Sequence, residues 1–167
     1  MTGQSDNGVD VEVLVIGAGV SGIYQLYRAR EAGFTTLALE AGDGAGGVWY
    51  WNRYPGARFD SESYAYGYNF SKELFDKWRW KEEFAAQPEV EDYLNFVIDE
   101  CDLRKDIRFG QRVVSADFDE SAAVWTLRTG KGDVFRARYV IAATGGLSVP
   151  HYPEIDGLED FTGLAYH

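Results

Sequence analysis

Three glycines near the start of the sequence, Gly17, Gly19 and Gly22, have the spacing Gly-x-Gly-x-x-Gly. This spacing allows a tight turn, a close approach of the backbone to a pyrophosphate, and close packing of a helix on a strand. Free N–H groups and the dipole at the start of the following helix favour bound phosphate. The pattern predicts a nucleotide-binding turn, and the alternative is a purely structural glycine turn.

The residues around the motif favour nucleotide binding. Val11–Ile16 is an apolar, β-branched run typical of a buried strand, and apolar residues then recur at helical spacing as far as Gly33. A second buried strand, 35–39, ends at Glu40, about 20 residues beyond the motif, where a carboxylate accepts hydrogen bonds from an adenosine ribose. Because an acidic residue there disfavours a 2'-phosphate, FAD or NAD is expected rather than NADP.

The remaining patterns predict one α/β domain. An aromatic-rich stretch, 42–68, indicates a long ordered loop, since its aromatic side chains would not stay solvated. Helices are expected at 72–80 and 89–101 and strands at 112–119, Val124–Thr129 and 134–144. The three strands suggest an antiparallel β-meander, and the last one ends in a purely apolar run that joins the parallel sheet. The expected fold class is therefore a Rossmann-type α/β domain with a parallel sheet and an antiparallel β-meander.

Composition limits the partners. The sequence has 27 acidic and 16 basic residues, and the resulting net charge of -11 repels nucleic acid and anionic membranes. A single cysteine, Cys101, forms no internal disulfide, and no Cys/His cluster has metal-ligand spacing. We therefore expect a cytoplasmic protein with no metal site and no nucleic-acid or membrane partner; the sequence does not indicate an oligomeric state.

The most specific stretch is residues 46–60, Gly-Gly-Val-Trp-Tyr-Trp-Asn-Arg-Tyr-Pro-Gly-Ala-Arg-Phe-Asp. It resembles, nearly position by position, the loop after the second strand in type I Baeyer-Villiger monooxygenases of the phenylacetone and steroid monooxygenase kind. The resemblance continues through Trp80, the Gln87-Pro88-Glu89 helix start, and residues 102–104 and 147–150. Residues 161–167 are similar to the first half of that family's Phe-x-Gly-x-x-x-His fingerprint. These motifs match the first part of such an enzyme.

The resemblance implies an FAD-binding segment of an enzyme in which NADPH reduces FAD and oxygen is inserted beside a ketone to give an ester or lactone. The strand end at Ala143-Thr144-Gly145 resembles the two-dinucleotide flavoproteins, which favours FAD over NAD. Asp60 is implied to lie near the flavin ring and to orient the family's active-site arginine, with Arg58 bordering the nicotinamide cofactor. The implied cofactor-binding residues are Gly17, Gly19, Ser21, Gly22, Glu40, Gly47, Val48, Trp49, Trp51, Arg58, Asp60, Tyr66, Val113, Thr144 and Gly145.

Three features of the family are missing from these residues: the NADPH-binding glycine motif, the active-site arginine and the fingerprint tryptophan. The expected organisation is a flexible tail at 1–10, the FAD-binding domain at 11–150, and at 151–167 the start of a linker toward an NADPH-binding domain. On this basis the isolated chain is expected to be inactive.

Each assignment has an alternative. Trp49 and Trp51 would also fit as core aromatics, Arg58 as a surface charge, and Asp60 as a turn or helix cap. We favour a cofactor-facing Asp60, because a buried carboxylate needs a partner. The alternative functions are a flavin-containing N- or S-oxygenating monooxygenase, which shares the glycine motif, and a non-catalytic FAD-binding module.

Overall fold

The first β-α-β unit forms as predicted. The computed structural model describes residues 8–166, in which strand β1 spans Val11–Ile16, helix α1 spans Val20–Glu31 and strand β2 spans Thr36–Leu39. The two strands pair in parallel, with Val13 opposite Thr36 and Ile16 opposite Leu39. The glycine motif connects the end of β1 directly to the start of α1.

Four helices follow, and two of them lie inside the predicted loop. These are the single turns α2, Val48–Trp51, and α3, Ser63–Tyr66, followed by α4, Lys72–Lys77, and α5, Gln87–Glu100. The predicted helix at 72–80 is longer than the observed helix α4, which ends at Lys77. Helix α4 ends there because Trp78 adopts an extended backbone and packs inward, with its ring centroid 5.4 Å from that of Tyr93 and 5.2 Å from that of Phe96.

The strands form one sheet in the order β3-β2-β1-β6-β5-β4. The later strands are β3, Ile107–Arg108, β4, Val113–Asp119, β5, Val124–Thr129, and β6, Val134–Ala142. Strand β6 is antiparallel to β5 at its start and parallel to β1 along its length, which confirms that the last meander strand joins the parallel sheet. Strand β3 was not predicted, because two residues are too few to show a period. Two single 3-10 turns complete the elements, Arg104–Asp106 and Leu158–Asp160.

Two of the three hydrophobic clusters lie on opposite faces of the parallel strands, and the third contains Phe59, Ala85 and Val90. Helices α1 and α5 cover one face, where Val15 of β1 packs with Leu26 and Leu94. On the other face Leu14 and Leu39 pack with Leu127 of the meander. The α/β class with a parallel sheet and an antiparallel meander is therefore confirmed. The helices on one face and the meander on the other pack against β1, β2 and β6, and this packing fixes the relative positions of the carboxyl ends of these strands.

The two ends of the described chain differ in burial. Residues 1–7, most of the predicted tail, and His167 lie outside the described residues. At the end of that predicted tail Val9 is buried, and Asp10 N donates to Arg136 O while Arg136 N donates to Asp10 Oδ2. Residues 144–166 are all exposed, and the predicted domain limits stay predictions. Between residues 8 and 166, no helix combines the length and apolar character that crossing a membrane requires.

Candidate nucleotide-binding site

The glycine turn is packed too tightly for side chains. Gly17 has φ +101°, its N–H donates to Leu39 O at 2.8 Å, and a Cβ placed on it would lie 2.5 Å from Ala143 O. A Cβ on Gly22 would lie 2.0 Å from Gly17 O. Glycine is therefore required where β1 passes into α1 beside the end of β6, as close helix–strand packing predicts.

The start of α1 can bind an anion. Gly19 caps the helix without a side-chain hydrogen bond, no acidic residue lies in the first turn, and Ser21 is exposed. The first N–H groups of a helix have no intrahelical acceptor, so they are free to donate to a phosphate. Tyr68 OH donates to Val20 O from the opposite side, and because burial raises the pKa of Tyr68 this hydroxyl stays protonated.

Glu40 links the end of β2 to the glycine turn. Its side chain is 4% exposed; Oε2 accepts from Ala18 N at 2.7 Å and Oε1 accepts from Gly42 N at 2.8 Å. Its backbone carbonyl accepts from Gln111 N at 2.7 Å. Each carboxylate oxygen has a further lone pair, so the group retains capacity to accept from a ribose hydroxyl. Glu40 thus has a structural role that the sequence pattern did not predict.

A second glycine pair lies directly against the first turn. Gly46 N donates to Ala18 O at 3.0 Å, and a Cβ on Gly47 would lie 2.8 Å from the Cα of Gly19. Gly47 has φ +57° and is followed by the exposed Val48 at the start of α2. The loop after β2 therefore contacts the backbone that precedes α1.

The end of β6 forms the third side of the site, after the Glu40 side chain and the loop that follows β2. Ala143 N donates to Ile16 O at 2.9 Å, after which Thr144 and Gly145 are exposed. Val113, at the start of β4, is half-buried against the cluster that contains Leu39. Gly17, Glu40 and Thr144 thus follow closely on the carboxyl ends of β1, β2 and β6, the edge where ligands of α/β sheets bind.

The two predicted tryptophans differ in environment. Trp49 is half-buried; its Nε1 donates to Tyr66 OH at 2.7 Å, and its ring meets Phe59 edge-on at 5.7 Å. Phe59 in turn stacks on Tyr66 at 4.6 Å. Trp51 is 56% exposed and meets the ring of Tyr50 edge-on. The alternative interpretation of these residues as core aromatics therefore fits Trp49, which is packed, and does not fit Trp51, which is exposed.

Arg58 and Asp60 lie at the end of the same loop. Arg58 Nη1 donates to Glu82 Oε2 and to Phe84 O, both at 2.9 Å, in an exposed ion pair. Asp60 was expected to be buried, but its side chain is exposed, and it has no hydrogen bond or ion pair with any residue from 8 to 166. The cofactor-facing roles of both residues stay predictions.

Two residues of α5 that hold this loop were missed. Gln87 N donates to Ala57 O at 2.8 Å, and Gln87 Nε2 donates to Trp49 O and to Glu91. Glu91 accepts from Arg53 Nη2 at 2.8 Å. The sequence signal that could have identified these two residues is their spacing of four positions, which places Gln87 and Glu91 on one helix face. Their loop partners are distant in sequence and gave no signal.

Two cavities lie away from this site. One of about 360 Å³ lies at the amino ends of the strands, lined by Thr36, Lys105 and Arg108 among others. Another, of about 300 Å³, lies between α1, α4 and α5. Neither includes a residue of the predicted site. Over the described range, no group of three or more His, Cys, Asp or Glu side chains is placed to hold a metal ion.

Curated proteins similar to this chain are monooxygenases. Acetone monooxygenase (methyl acetate-forming) of Gordonia sp. (strain TY-5) is 45% identical over 94% of this chain. A Baeyer-Villiger monooxygenase of Pseudooceanicola batsensis is 40% identical over 96%, and a phenazine N-monooxygenase of Lysobacter antibioticus is 44% identical over 93%. The chain spans only 29–30% of the length of these three relatives.

Solved structures agree. An oxidised steroid monooxygenase bound to NADP matches 92% of this chain at 52% identity with a TM-score of 0.82. A structure described as the OTEMO complex with FAD and NADP matches 95% at 45% identity with a TM-score of 0.84. This chain covers 29% and 30% of those two chains.

These similarities confirm the resemblance to Baeyer-Villiger monooxygenases that the residues 46–60 indicated. A family model, pyridine nucleotide-disulphide oxidoreductase, matches residues 14–167. The chain therefore belongs to the pyridine nucleotide-disulphide oxidoreductase family.

Proposed function

We propose that this chain binds FAD and is the FAD-binding part of an NADPH- and oxygen-dependent monooxygenase that converts ketones to esters or lactones. One observation carries the proposal: the buried Glu40 carboxylate is hydrogen-bonded to Ala18 beside the open N-terminus of α1. A ribose acceptor and a phosphate site are therefore adjacent, at the carboxyl ends of parallel strands.

The residues fit FAD in this arrangement. The turn from Gly17 to Gly22, with Ser21, would hold the pyrophosphate, and Glu40 would accept from the adenosine ribose, while its negative charge opposes a 2'-phosphate. The walls would be formed by residues of the surrounding segments, namely Gly47, Val48, Trp49, Trp51, Tyr66, Val113, Thr144 and Gly145. The chemistry supplied by bound FAD is the transfer of electrons from NADPH to oxygen.

Asp60 is the residue of this chain to which we assign a catalytic role. It is exposed and without an ionic partner between residues 8 and 166, so it is available to pair with an arginine from another part of the enzyme. Such a pair would hold the arginine charge beside the flavin, where negative charge develops during oxygen insertion. Arg58, two residues earlier, would border the nicotinamide cofactor after exchanging its exposed Glu82 contact.

Measurements of FAD binding and of ester formation by a chimera test this function. Titration with FAD should give a flavin signal that saturates, and denaturation should release unmodified FAD. A chimera in which this chain replaces the matching segment of acetone monooxygenase should form methyl acetate from acetone with NADPH. The same chimera carrying Asp60→Asn should bind FAD and lose most ester formation. A flavin signal that does not change on titration, with no FAD kept by the protein after desalting, would contradict the proposal.

N-oxygenation is the second candidate, favoured by the 44% identity to a phenazine N-monooxygenase. The Arg53-Tyr54-Pro55-Gly56 stretch followed by Asp60 favours ketone oxidation instead. A second chimera on the phenazine enzyme separates the two candidates. Turnover of phenazine by that chimera, with none of acetone by the first, would favour N-oxygenation.

We also propose that the protein acts in the cytoplasm on a small-molecule ketone and oxygen. The support for the compartment is the single unpaired Cys101, which fits a reducing environment. Fractionation of cells expressing the tagged protein tests the location.

A further inference from the structure

The segment from Trp49 to Ala57 is held at both ends by one residue of α5. Gln87 is 6% exposed, and its backbone N–H donates to Ala57 O at 2.8 Å. Its side-chain Nε2 donates to Trp49 O at 2.5 Å. The backbone and side-chain N–H groups of this one buried residue therefore satisfy two loop carbonyls and tie both ends of the segment to α5.

Glu91 extends this contact to the middle of the segment. One turn further along α5, its Oε2 accepts from Gln87 Nε2 at 2.8 Å and its Oε1 accepts from Arg53 Nη2 at 2.8 Å. Arg53 is oriented by a further bond from Nε to Tyr50 O at 2.9 Å, with its guanidinium 5.2 Å from the Tyr50 ring centroid. One carboxylate therefore joins the centre of the segment to the residue that holds its ends.

The ends of the segment have further contacts, since Trp49 packs on Phe59 and Ala57 is buried, whereas its middle has few. Residues 51–56 are all exposed, so no buried apolar side chain anchors its middle. An exposed ion pair alone contributes little to stability. The Glu91 side chain is 20% exposed and also bonds to the buried Gln87, and charge-assisted hydrogen bonds in such surroundings are stronger than neutral ones.

The geometry points to Glu91 as a positioning residue for the loop that carries Arg58 and Asp60. Through Arg53 and Gln87 it holds the segment 49–57, and residue 57 leads directly into those two side chains. This inference rests on the proposed function, since it assigns the loop to the flavin. Glu91 touches neither FAD nor substrate in this role and acts only through the loop.

Hydrogen exchange tests the contact itself without FAD. In Glu91→Gln one side-chain atom can no longer accept, so the hydrogen-bonded amides of residues 49–52 and 57 should lose protection by about tenfold, the factor expected for one lost hydrogen bond to a charged group. Protection in β1 and α1 should not change. The matched control is Asp92→Asn, which removes the same charge from the next residue of α5, an exposed side chain with no hydrogen bond or ion pair in the described part of the chain. Equal exchange in both variants would overturn the inference.

The visible circular dichroism of bound flavin tests the positioning role. Glu91→Gln should change this spectrum while FAD affinity stays within about threefold, because Glu40 and the glycine turn are untouched. Arg53→Gln should give the same spectral change, and adding it to Glu91→Gln should have no further effect. Loss of protection with an unchanged spectrum would overturn the positioning role. Failure of the native chain to bind FAD would refute the proposed function, whereas the exchange experiment would still decide the contact.

Discussion

The carboxylate of Glu40 accepts a hydrogen bond from the backbone amide of Ala18, with 2.7 Å between Oε2 and N. The two residues lie at the ends of neighbouring parallel strands, and the second oxygen of the same carboxylate accepts from Gly42 N. Glu40 therefore orders the glycine turn. Because a site that is ordered in advance loses less entropy on binding, we expect Glu40 to contribute to both stability and affinity.

Replacing Glu40 should affect both quantities. Glu40→Gln keeps the side-chain size but leaves one of the two amides, Ala18 N or Gly42 N, without an acceptor. Unfolding should become easier by about 1–3 kcal/mol, and FAD affinity should fall about 10- to 100-fold. Chemical denaturation and FAD titration measure the two effects.

The control for this charge change is Glu120→Gln, an exposed position at the β4–β5 turn. It should alter neither quantity measurably. A Glu40→Gln protein that is destabilised but binds FAD as tightly as the native chain would leave Glu40 with a structural role only.

Gly22→Ala should damage the turn sterically. The new Cβ would lie 2.0 Å from Gly17 O, a backbone atom that is itself held beside Ala143. Overpacking of this kind costs about 1–3 kcal/mol, and displacing the start of α1 should weaken FAD binding at least about tenfold. Gly146→Ala is the matched control, since nothing lies within 4 Å of its added Cβ. Native-like FAD binding by Gly22→Ala would argue against phosphate binding at this turn.

Local patterns predicted the part of the fold that holds the glycine motif. Strand β1 is apolar except for Glu12, and the motif and Glu40 follow at fixed spacings, so neighbouring residues alone carry the information. The junction of β6 with the parallel sheet was also predictable, because its apolar end indicates burial on both faces.

The remaining features depend on contacts between distant segments. Strand β3 exists only because Ile107 and Arg108 meet the end of β2, and α4 stops where Trp78 reaches Tyr93. The contact of Gln87 with Trp49 joins residues 38 positions apart. The periodicity of apolar residues along the sequence does not predict such contacts between distant segments. The exposure of Asp60 was missed for the same reason, since burial depends on what packs around the loop.

The two tryptophans of the loop should respond differently to the same change. Trp49→Phe removes the Nε1 donor to Tyr66 OH and should lower the free energy of unfolding by about 1–2 kcal/mol. Trp51→Phe alters an exposed ring and should stay within about 0.5 kcal/mol of the native value. Thermal unfolding measures both. A loss of FAD affinity in Trp51→Phe without a loss of stability would indicate that Trp51 contacts the cofactor. Equal destabilisation by the two variants would contradict the different packing of Trp49 and Trp51 described above.

The isolated 167-residue chain should bind FAD and form no ester or lactone. Hydride transfer from NADPH needs a second phosphate-binding turn, in which a glycine motif leads from a strand into a helix. Gly42, Gly44 and Gly47 repeat the Gly-x-Gly-x-x-Gly spacing, but they lead into the four-residue helix α2. The ring of Tyr50 also fills this space, since a Cβ on Gly42 or Gly44 would lie 2.6 or 2.5 Å from it.

Gly42 and Gly44 therefore make room for an aromatic ring. Among residues 8–166, Gly17 to Gly22 is the one such motif with a strand before it and a long helix after it. The assay supplies the FAD-loaded chain with a ketone, NADPH and oxygen and analyses the products. The acetone monooxygenase chimera is the positive control, since it contains the same residues with a complete partner segment. Product formed by the isolated chain over many turnovers would contradict this prediction and would require a nicotinamide site within these residues.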